Sequence, residues 1–384
     1  MQRSIPAVFM RGGTSKAIMF HARDLPADRS AWDAIFMAAM GSPDPYGRQL
    51  DGMGGGVSSL SKVCVLAPSA REDADIDYTF AQVQIRESRV DYNTNCGNMS
   101  SAVGPFAVDE GLVSACGDTA TVRIFNTNTQ KIIRATFPLE RGRVRYDGDL
   151  AIPGVAGTGA AVRLDFVEPG GAATGKLLPS GKTTDRLEVP GFGPVEASLV
   201  DAANPAVFVR AKDIGLTGNE LPDQLEANPD ILRLLDDIRV QGSVRMGLAS
   251  DPETARRVAV PFVAFVSPPS DAPTLTGEAV RGADIDLSVR VVSSGQPHRA
   301  LPVTISLCTA VAARITGTVL AEALSKGAGH KSLRLGMPSG VLTVDADVDS
   351  EGGAWMARAG SLYRTARRLF DGRVWVPELA LASQ

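Results

Sequence analysis

Histidine is almost missing from this chain. Its three copies in 384 residues, His21, His298 and His330, show neither His-x-x-x-His nor Glu-x-x-His spacing, which excludes a histidine-based metal centre and with it most hydrolytic metalloenzymes. The four cysteines, Cys64, Cys96, Cys116 and Cys308, lie far apart. They lack the short paired spacing of a zinc site and the density of a disulfide scaffold, so any that matters is expected to act as a free thiol. No apolar run approaches the roughly 18 residues needed to cross a bilayer, and the opening Met1-Gln-Arg-Ser-Ile-Pro6 lacks the apolar core of a secretory signal. The expected compartment is the cytoplasm, with no membrane partner. Blocks of like charge are also absent: 39 Lys and Arg stand against 43 Asp and Glu, scattered to a net −4, which leaves no basic field for nucleic acid.

What is present is apolar and punctuated. Hydrophobic residues make up 44% of the chain, enough to bury a large core at a length that suggests about two to three domains. Short apolar runs at 7–10, 17–20, 63–66, 122–125, 206–209, 263–266, 289–292 and 342–344 are broken by Gly, Pro and Asp and read as strands. Helical spacing is rarer. It occurs at 31–40, 98–109, 229–237, 306–324 and 353–368, each with the apolar stripe of a helix that covers a sheet. The fold class is α+β, rich in strand.

The chain also repeats itself. Ala17-Ile-Met-Phe-His-Ala-Arg-Asp-Leu25 aligns with Ala206-Val-Phe-Val-Arg-Ala-Lys-Asp-Ile214 at an offset of 189. Val63-Cys-Val-Leu-Ala-Pro68 follows with Val263-Ala-Phe-Val-Ser-Pro268 at 200, and Asp75-Ile-Asp77 with Asp284-Ile-Asp286 at 209. Three matches in one order indicate duplication into halves 1–190 and 191–384, with loop insertions in the second. Carried forward at 208, the register sets Cys96 against Thr304, each opening a helix. Two helix N-termini facing one cleft would grip a dicarboxylate through unpaired N–H groups and dipoles. Two helices that merely begin at small residues satisfy the same pattern.

Cys96, in Asn93-Thr-Asn-Cys-Gly-Asn98, stands where a helix dipole favours the thiolate; the polar residues on both sides argue against a buried structural cysteine. Asp51-Gly-Met-Gly-Gly-Gly-Val-Ser-Ser59 has glycine at four of five positions, so Gly54 and Gly55 are candidates for a backbone anion nest. Lys62 follows that loop and opens a strand, with Phe262 as its counterpart; a solvated surface lysine remains the plainer alternative. Arg11-Gly-Gly-Thr-Ser-Lys16 lacks the Walker spacing, which argues against nucleotide binding. Arg11 suits a carboxylate held by two N–H groups, with Thr14 and Ser15 adding hydroxyls. His298, Arg299, Thr304, Ser306 and, in Met337-Pro-Ser-Gly340, Ser339 form a second polar set that turns and caps would equally explain.

Taken together, Arg11-Gly-Gly-Thr-Ser-Lys16, Asp51-Gly-Met-Gly-Gly with Ser61-Lys-Val63, Asn95-Cys-Gly-Asn-Met-Ser-Ser-Ala-Val-Gly-Pro105 and Cys308-Thr-Ala-Val-Ala-Ala-Arg-Ile315 resemble the PrpF family from end to end. The resemblance implies a diaminopimelate-epimerase-like fold: two α+β halves, each a barrel-like sheet around a central helix, with the active site between them. It implies an isomerase that needs no metal or organic cofactor and acts on a small polycarboxylate. The family's functional Lys and Cys fall on Lys62 and Cys96, and Gly97, Asn98 and Met99 join the substrate-binding set. Two positions depart from the family pattern: Ala17, where many members carry Gly, and Val303-Thr-Ile-Ser306, where many carry a Gly-Thr-Gly-Ala-like turn. The second departure resembles the oxalomesaconate tautomerases more than the methylaconitate isomerases.

The expected reaction is therefore a 1,3-allylic proton shift or keto–enol tautomerisation of an unsaturated tricarboxylate. 4-Oxalomesaconate, from protocatechuate or gallate breakdown, leads; 2-methylaconitate, in propionate catabolism, follows. Thr304 cannot serve as a second thiol base, which disfavours a symmetrical two-thiol racemisation. The alternative of another class is a non-catalytic accessory or binding protein, for which neither a thiol nor an amine is required. The sequence leaves open a homodimer and which of Lys62 and Cys96 is the base.

Overall fold

Each of the eight short apolar runs lies inside a strand. The computed structural model describes residues 1–92, 96–258, 260–293, 295–328 and 332–378. The chain divides into two units, Met1–Asp165 with Tyr363–Gln384, and Phe166–Leu362. Both are mixed sheets with helices packed on them. Asn93, Thr94, Asn95 and His330, noted in the sequence, lie outside the described residues.

In the first unit β1 (Gln2–Gly12) turns back antiparallel into β2 (Ser15–His21). After α1 (Trp32–Met40), β3 (Lys62–Pro68) runs parallel to β2 with Ile18 opposite Val63, and β4 (Ile76–Val83) is antiparallel to β3 with Lys62 opposite Gln82. Helix α2 (Gly97–Asp109) precedes β5 (Thr119–Asn126), which is parallel to β4, and β6 (Lys131–Glu140) closes the order antiparallel to β5. The C-terminal strand Ala366–Pro377 pairs antiparallel along the length of β1.

β2 and β3 read as unbroken apolar runs because both faces are covered. Side chains alternate along a strand, so Ile18, Phe20, Val63 and Val65 meet Trp32, Ile35, Phe36 and Met40 of α1. The other set, Lys62 and Cys64 with Tyr78, Phe80 and Gln82 across the ladder, faces the opposite side. There lies α2, buried at every residue from Met99 to Ala107, as a helix enclosed on all sides must be.

The second unit has the same pairing order. β7 (Gly193–Ala202) is antiparallel to β8 (Asn204–Arg210); after α3 (Pro229–Met246), β9 (Phe262–Ser267) runs parallel to β8 with Val207 opposite Val263. β10 (Leu287–Ser293) is antiparallel to β9, and α4 (Val303–Arg314), buried from Ile305 to Ala313, leads through α5 (Val319–Ala323) to β11 (Leu333–Met337) and β12 (Gly340–Glu351).

Several expectations need correction. Asp75 accepts the backbone N–H and the guanidinium of Arg123, and Asp286 those of Arg334, so Asp75 corresponds to Asp286 at an offset of 211. The repeated Asp-Ile-Asp text had suggested 209. Ser100 N–H and Oγ both donate to Cys96 O, as Ser306 N–H and Oγ do to Pro302 O. The helix starts therefore align at 206, and Pro302, not Thr304, occupies the place of Cys96. Residues 353–368 are strand, Ala354–Arg364 running on toward Ala366–Pro377. Ala, Leu and Arg there favour helix, but antiparallel pairing of Ala354–Leu362 with β12 outweighs propensity. Residues 306–324 are two helices, parted at Gly317 (φ 86°) and restarted by the Thr318 cap. Helix α3 continues nine residues past the expected end to Gly247, a left-handed cap.

Burial works against the charge of Asp286, but Arg334 and the Ser325 hydroxyl outweigh it and hold its carboxyl below the usual carboxylate range. A depressed carboxyl stabilises the fold above its unfolded value near pH 4 and loses that contribution as pH falls through the folded one. Asp286→Asn is expected to cost about 1–3 kcal/mol in urea unfolding at pH 7, with the gap to the parent closing below about pH 3. An equal gap at both pH values would show that the charge is not its source.

Candidate active site

Lys62 opens β3 and is only 7% exposed. Its Nζ donates to Gln82 Oε1 at 2.5 Å and lies 4.9 Å from the Phe80 ring centroid. Gln82 can offer only its oxygen, because its Nε2 is spent on Ser58 O at 3.1 Å and Ser61 O at 2.9 Å. An ammonium withdrawn from water with an amide oxygen and a ring face, and no carboxylate among the described residues, gains little for stability. Such an arrangement points to chemistry.

Cys96 caps α2. The Met99 N–H donates to its Sγ at 3.5 Å, and the residue is partly exposed. Cys64 lies beneath, fully buried, with its Sγ 3.8 Å from the Tyr78 hydroxyl. Burial and then the charge of Cys96 push the Cys64 thiol up, while the Tyr78 bond and Lys62 pull it down. Cys64 thus lies within electrostatic reach of both Lys62 and Cys96, as an inert thiol among polar neighbours.

The Arg11-Gly-Gly-Thr turn locks onto the start of α2. A side chain at Gly12 would stand 2.6 Å from Asn98 O, and one at Gly13 (φ 51°) 2.3 Å from Asn98 Oδ1, so both positions require glycine. Asn98 Nδ2 donates to Thr14 Oγ1 at 3.0 Å, and its Oδ1 accepts from Arg364 Nε at 3.0 Å. Arg11 Nη1 donates to Gly13 O, Thr365 O and Thr365 Oγ1, clamping the turn to the last strand region. Ser15 is buried where β2 begins.

The glycine loop is not an open nest. Gly52 N–H donates to Gln49 O, Met53 N–H to Ala39 O, Gly54 N–H to Met40 O and Gly56 N–H to Gln49 Oε1. The glycines are needed instead because Cβ atoms at Gly54 and Gly55 would strike the Gln49 and Leu60 side chains at 2.3 and 2.6 Å. Gln49 in turn donates to Ser61 Oγ, so the loop braces the residue before Lys62.

In the second unit the expected polar set is dispersed in role. His298 bonds Ser293 Oγ at 2.7 Å, its ring 5.9 Å from Phe262, and burial lowers its pKa. Arg299 pairs with exposed Asp223. Thr304 accepts from Asn204 Nδ2 at 3.5 Å, Ser306 is spent on Pro302 O, and the Ser339 hydroxyl is buried without a hydrogen-bond partner among the described residues. Among the described residues no three His, Cys, Asp or Glu side chains gather as a metal site would need.

Two residues escaped the sequence reading. Gln82 is opposite Lys62 in the ladder, a relation visible once β3 and β4 are paired. Arg364, 7% exposed, lies in the segment taken for a helix. Burial brings its guanidinium down to about 10, with Cys96 acting in the opposite direction.

Gly13→Ala is expected to separate Asn98 from Thr14 and Arg364 and to lower the unfolding free energy by about 1–3 kcal/mol in a urea titration. An unchanged midpoint would show that the turn yields freely.

The sequence profile of the PrpF protein family matches residues 2–377. 3-Methylitaconate isomerase of Eubacterium barkeri is 42% identical over 99% of each chain. 2-Methyl-aconitate isomerase of Cupriavidus necator is 41% identical over 98% of each. 4-Oxalomesaconate tautomerase of Pseudomonas putida (strain KT2440) is 40% identical over 98% of this chain and 97% of its own. The crystal structure of a methylitaconate-delta-isomerase superposes with a TM-score of 0.92 at 41% identity, covering 100% of this chain and 98% of that one. A profile match of that extent, with whole-length relatives that are isomerases and tautomerases, makes this chain an isomerase and a member of the PrpF protein family.

Proposed function

We propose that this isomerase moves a proton along an unsaturated tricarboxylate, by a 1,3-allylic shift or keto–enol tautomerisation, with Lys62 and Cys96 as the two proton-handling groups. The carrying observation is the buried Lys62 on the face of β3 that α2 covers, together with a cysteine that caps the start of α2. 4-Oxalomesaconate is the leading substrate. Its support is the altered helix start at 303–306 and a 40%-identical relative named for it. 2-Methylaconitate is the second reading, supported by a relative of equal extent.

Loss of a C–H proton sends its electron pair into the conjugated system as a dienolate, and return of a proton at the far carbon moves the double bond without net oxidation. Cys96 Sγ accepts the Met99 N–H, an arrangement suited to a thiolate base. Lys62, held by Gln82 on the same face of the sheet, is the second group, and we assign it the return of the proton. The start of α2 would favour negative charge on the dienolate oxygens. Arg11, Thr14, Ser15, Gly97, Asn98 and Met99 surround these groups in sequence and complete the proposed substrate-binding set, with His298, Arg299, Thr304, Ser306 and Ser339. The glycine loop supports Lys62 in this reading instead of binding substrate.

We also read the chain as a duplication, 1–190 and 191–384, of a diaminopimelate-epimerase-like half with a barrel-like sheet around a central helix. The shared pairing order and the burial of α2 and α4 on all sides support it.

Incubation with 4-oxalomesaconate in deuterated buffer, followed by NMR, tests the reaction. Parent protein should shift the double bond and take up deuterium. Cys96→Ser should lose both by about 10²–10⁴-fold, whereas Lys62→Ala should exchange the first proton yet leave the bond in place. The reverse pattern would exchange the two roles, and an inert parent would move the test to 2-methylaconitate. Gln82→Leu should lower kcat about tenfold with little change in KM, since it only aims Lys62.

A further inference from the structure

Arg364 is one of three buried arginines among the described residues, and the one of the three that bonds the first turn of α2. Arg239 is answered by Asp236 and by the carbonyls of Ala255 and Val258; Arg290 is answered by the carbonyls of Glu220, Val289 and Gly336. Arg364 is as thoroughly withdrawn from water, at 7% exposure, yet has no carboxylate partner among the described residues. Its Nε goes to Asn98 Oδ1 and its Nη1 to Tyr363 O, each at 3.0 Å, two acceptors among the described residues where Arg239 and Arg290 each have three. A guanidinium so withdrawn from water and answered by so few acceptors is better completed by an anion than by neutral groups alone.

The direction of that donor group is set. Asn98, in the first turn of α2, is held by Thr14 on one side and holds Arg364 on the other. The Gly13 turn leaves no room for a side chain between them, since a Cβ there would sit 3.1 Å from Arg364 Cδ. Cys96 is close enough to act electrostatically on the guanidinium.

We propose that Arg364, aimed by Asn98, is the anchor for a substrate carboxylate beside Cys96. The proposal rests on the isomerase reading above only for the identity of the anion. A planar guanidinium meets a carboxylate through paired N–H donors, and the start of α2 adds backbone N–H groups and a positive dipole end to the same spot. Holding one carboxylate there would fix the carbon next to it at the thiol.

Alkylation of the cysteines tests this without turnover. Iodoacetate and iodoacetamide both form an S–CH₂ bond and expel iodide, but only the first is an anion. Cys116 is exposed and serves as the reference thiol in the same chain. The iodoacetate-to-iodoacetamide rate ratio, read by peptide mass spectrometry, should be about tenfold higher at Cys96 than at Cys116, reflecting the local positive field. It should fall at least fivefold in Arg364→Gln and be retained in Arg364→Lys, with the buried Cys64 and Cys308 staying unreactive as a check on folding. Propane-1,2,3-tricarboxylate should slow iodoacetamide at Cys96 in the parent and not in Arg364→Gln. Equal ratios at the two cysteines of the parent would overturn the proposal even if the variant failed to fold, as would an unchanged ratio in a folded Arg364→Gln. A high ratio and tricarboxylate protection in a parent that turns over no tricarboxylate would leave the anchor standing and sink the isomerisation reading instead.

Discussion

The burial of Lys62 with no countercharge among the described residues is the constraint around which the first unit is built. Coulomb attraction to a carboxylate would make the site easier to form, but it would also tie up the amine. The protein uses weaker partners, an amide oxygen and the face of Phe80, and must then hold each of them rigidly. Gln82 is fixed by two carbonyls of the segment before β3, and that segment is braced by Gln49, around which the glycine loop closes. A loop that looks from its composition like a flexible anion binder is thus a packed support, its N–H groups turned inward.

The same economy governs α2. A helix buried from Met99 to Ala107 can expose only its ends, and of the two it is the first turn that carries Cys96 and Asn98. Cys96, Gly97 and Asn98 occupy that turn, and the Gly12-Gly13 hairpin presses on it closely enough to exclude any Cβ. Position is therefore set by backbone contact, which does not depend on side-chain rotamers and loses little to thermal motion.

The parts of this arrangement legible in the sequence were those with a local signature. Apolar runs such as 63–66 fixed the strands, the cysteine at a helix start marked α2, and the family motifs led to Lys62. What was not legible depended on pairing. Ala354–Arg364 carries helix-favouring residues and is a strand because its neighbours are strands. Arg364 and Gln82 have no motif, since their meaning comes from Asn98 and Lys62, which lie 266 and 20 residues away in the chain. The Asp-Ile-Asp repeat misled by two residues because Asp77 and Asp284 happen to copy the text around the true pair, Asp75 and Asp286, which only the matching Arg123 and Arg334 contacts reveal.

That realignment bears on the chemistry. With the helix starts matched through Ser100 and Ser306, the counterpart of Cys96 is Pro302, and with the strands matched the counterpart of Lys62 is Phe262. Proline and phenylalanine can neither take nor give a proton, so the second unit retains none of the proposed acid–base groups at these positions. Two equal bases on opposite sides of one carbon would invert it. One thiol and one amine, both in the first unit, suit a proton that leaves one carbon and returns to another. Under the proposed mechanism, differences in substrate among these isomerases should therefore be sought in side chains other than Lys62 and Cys96, where proton transfer imposes nothing.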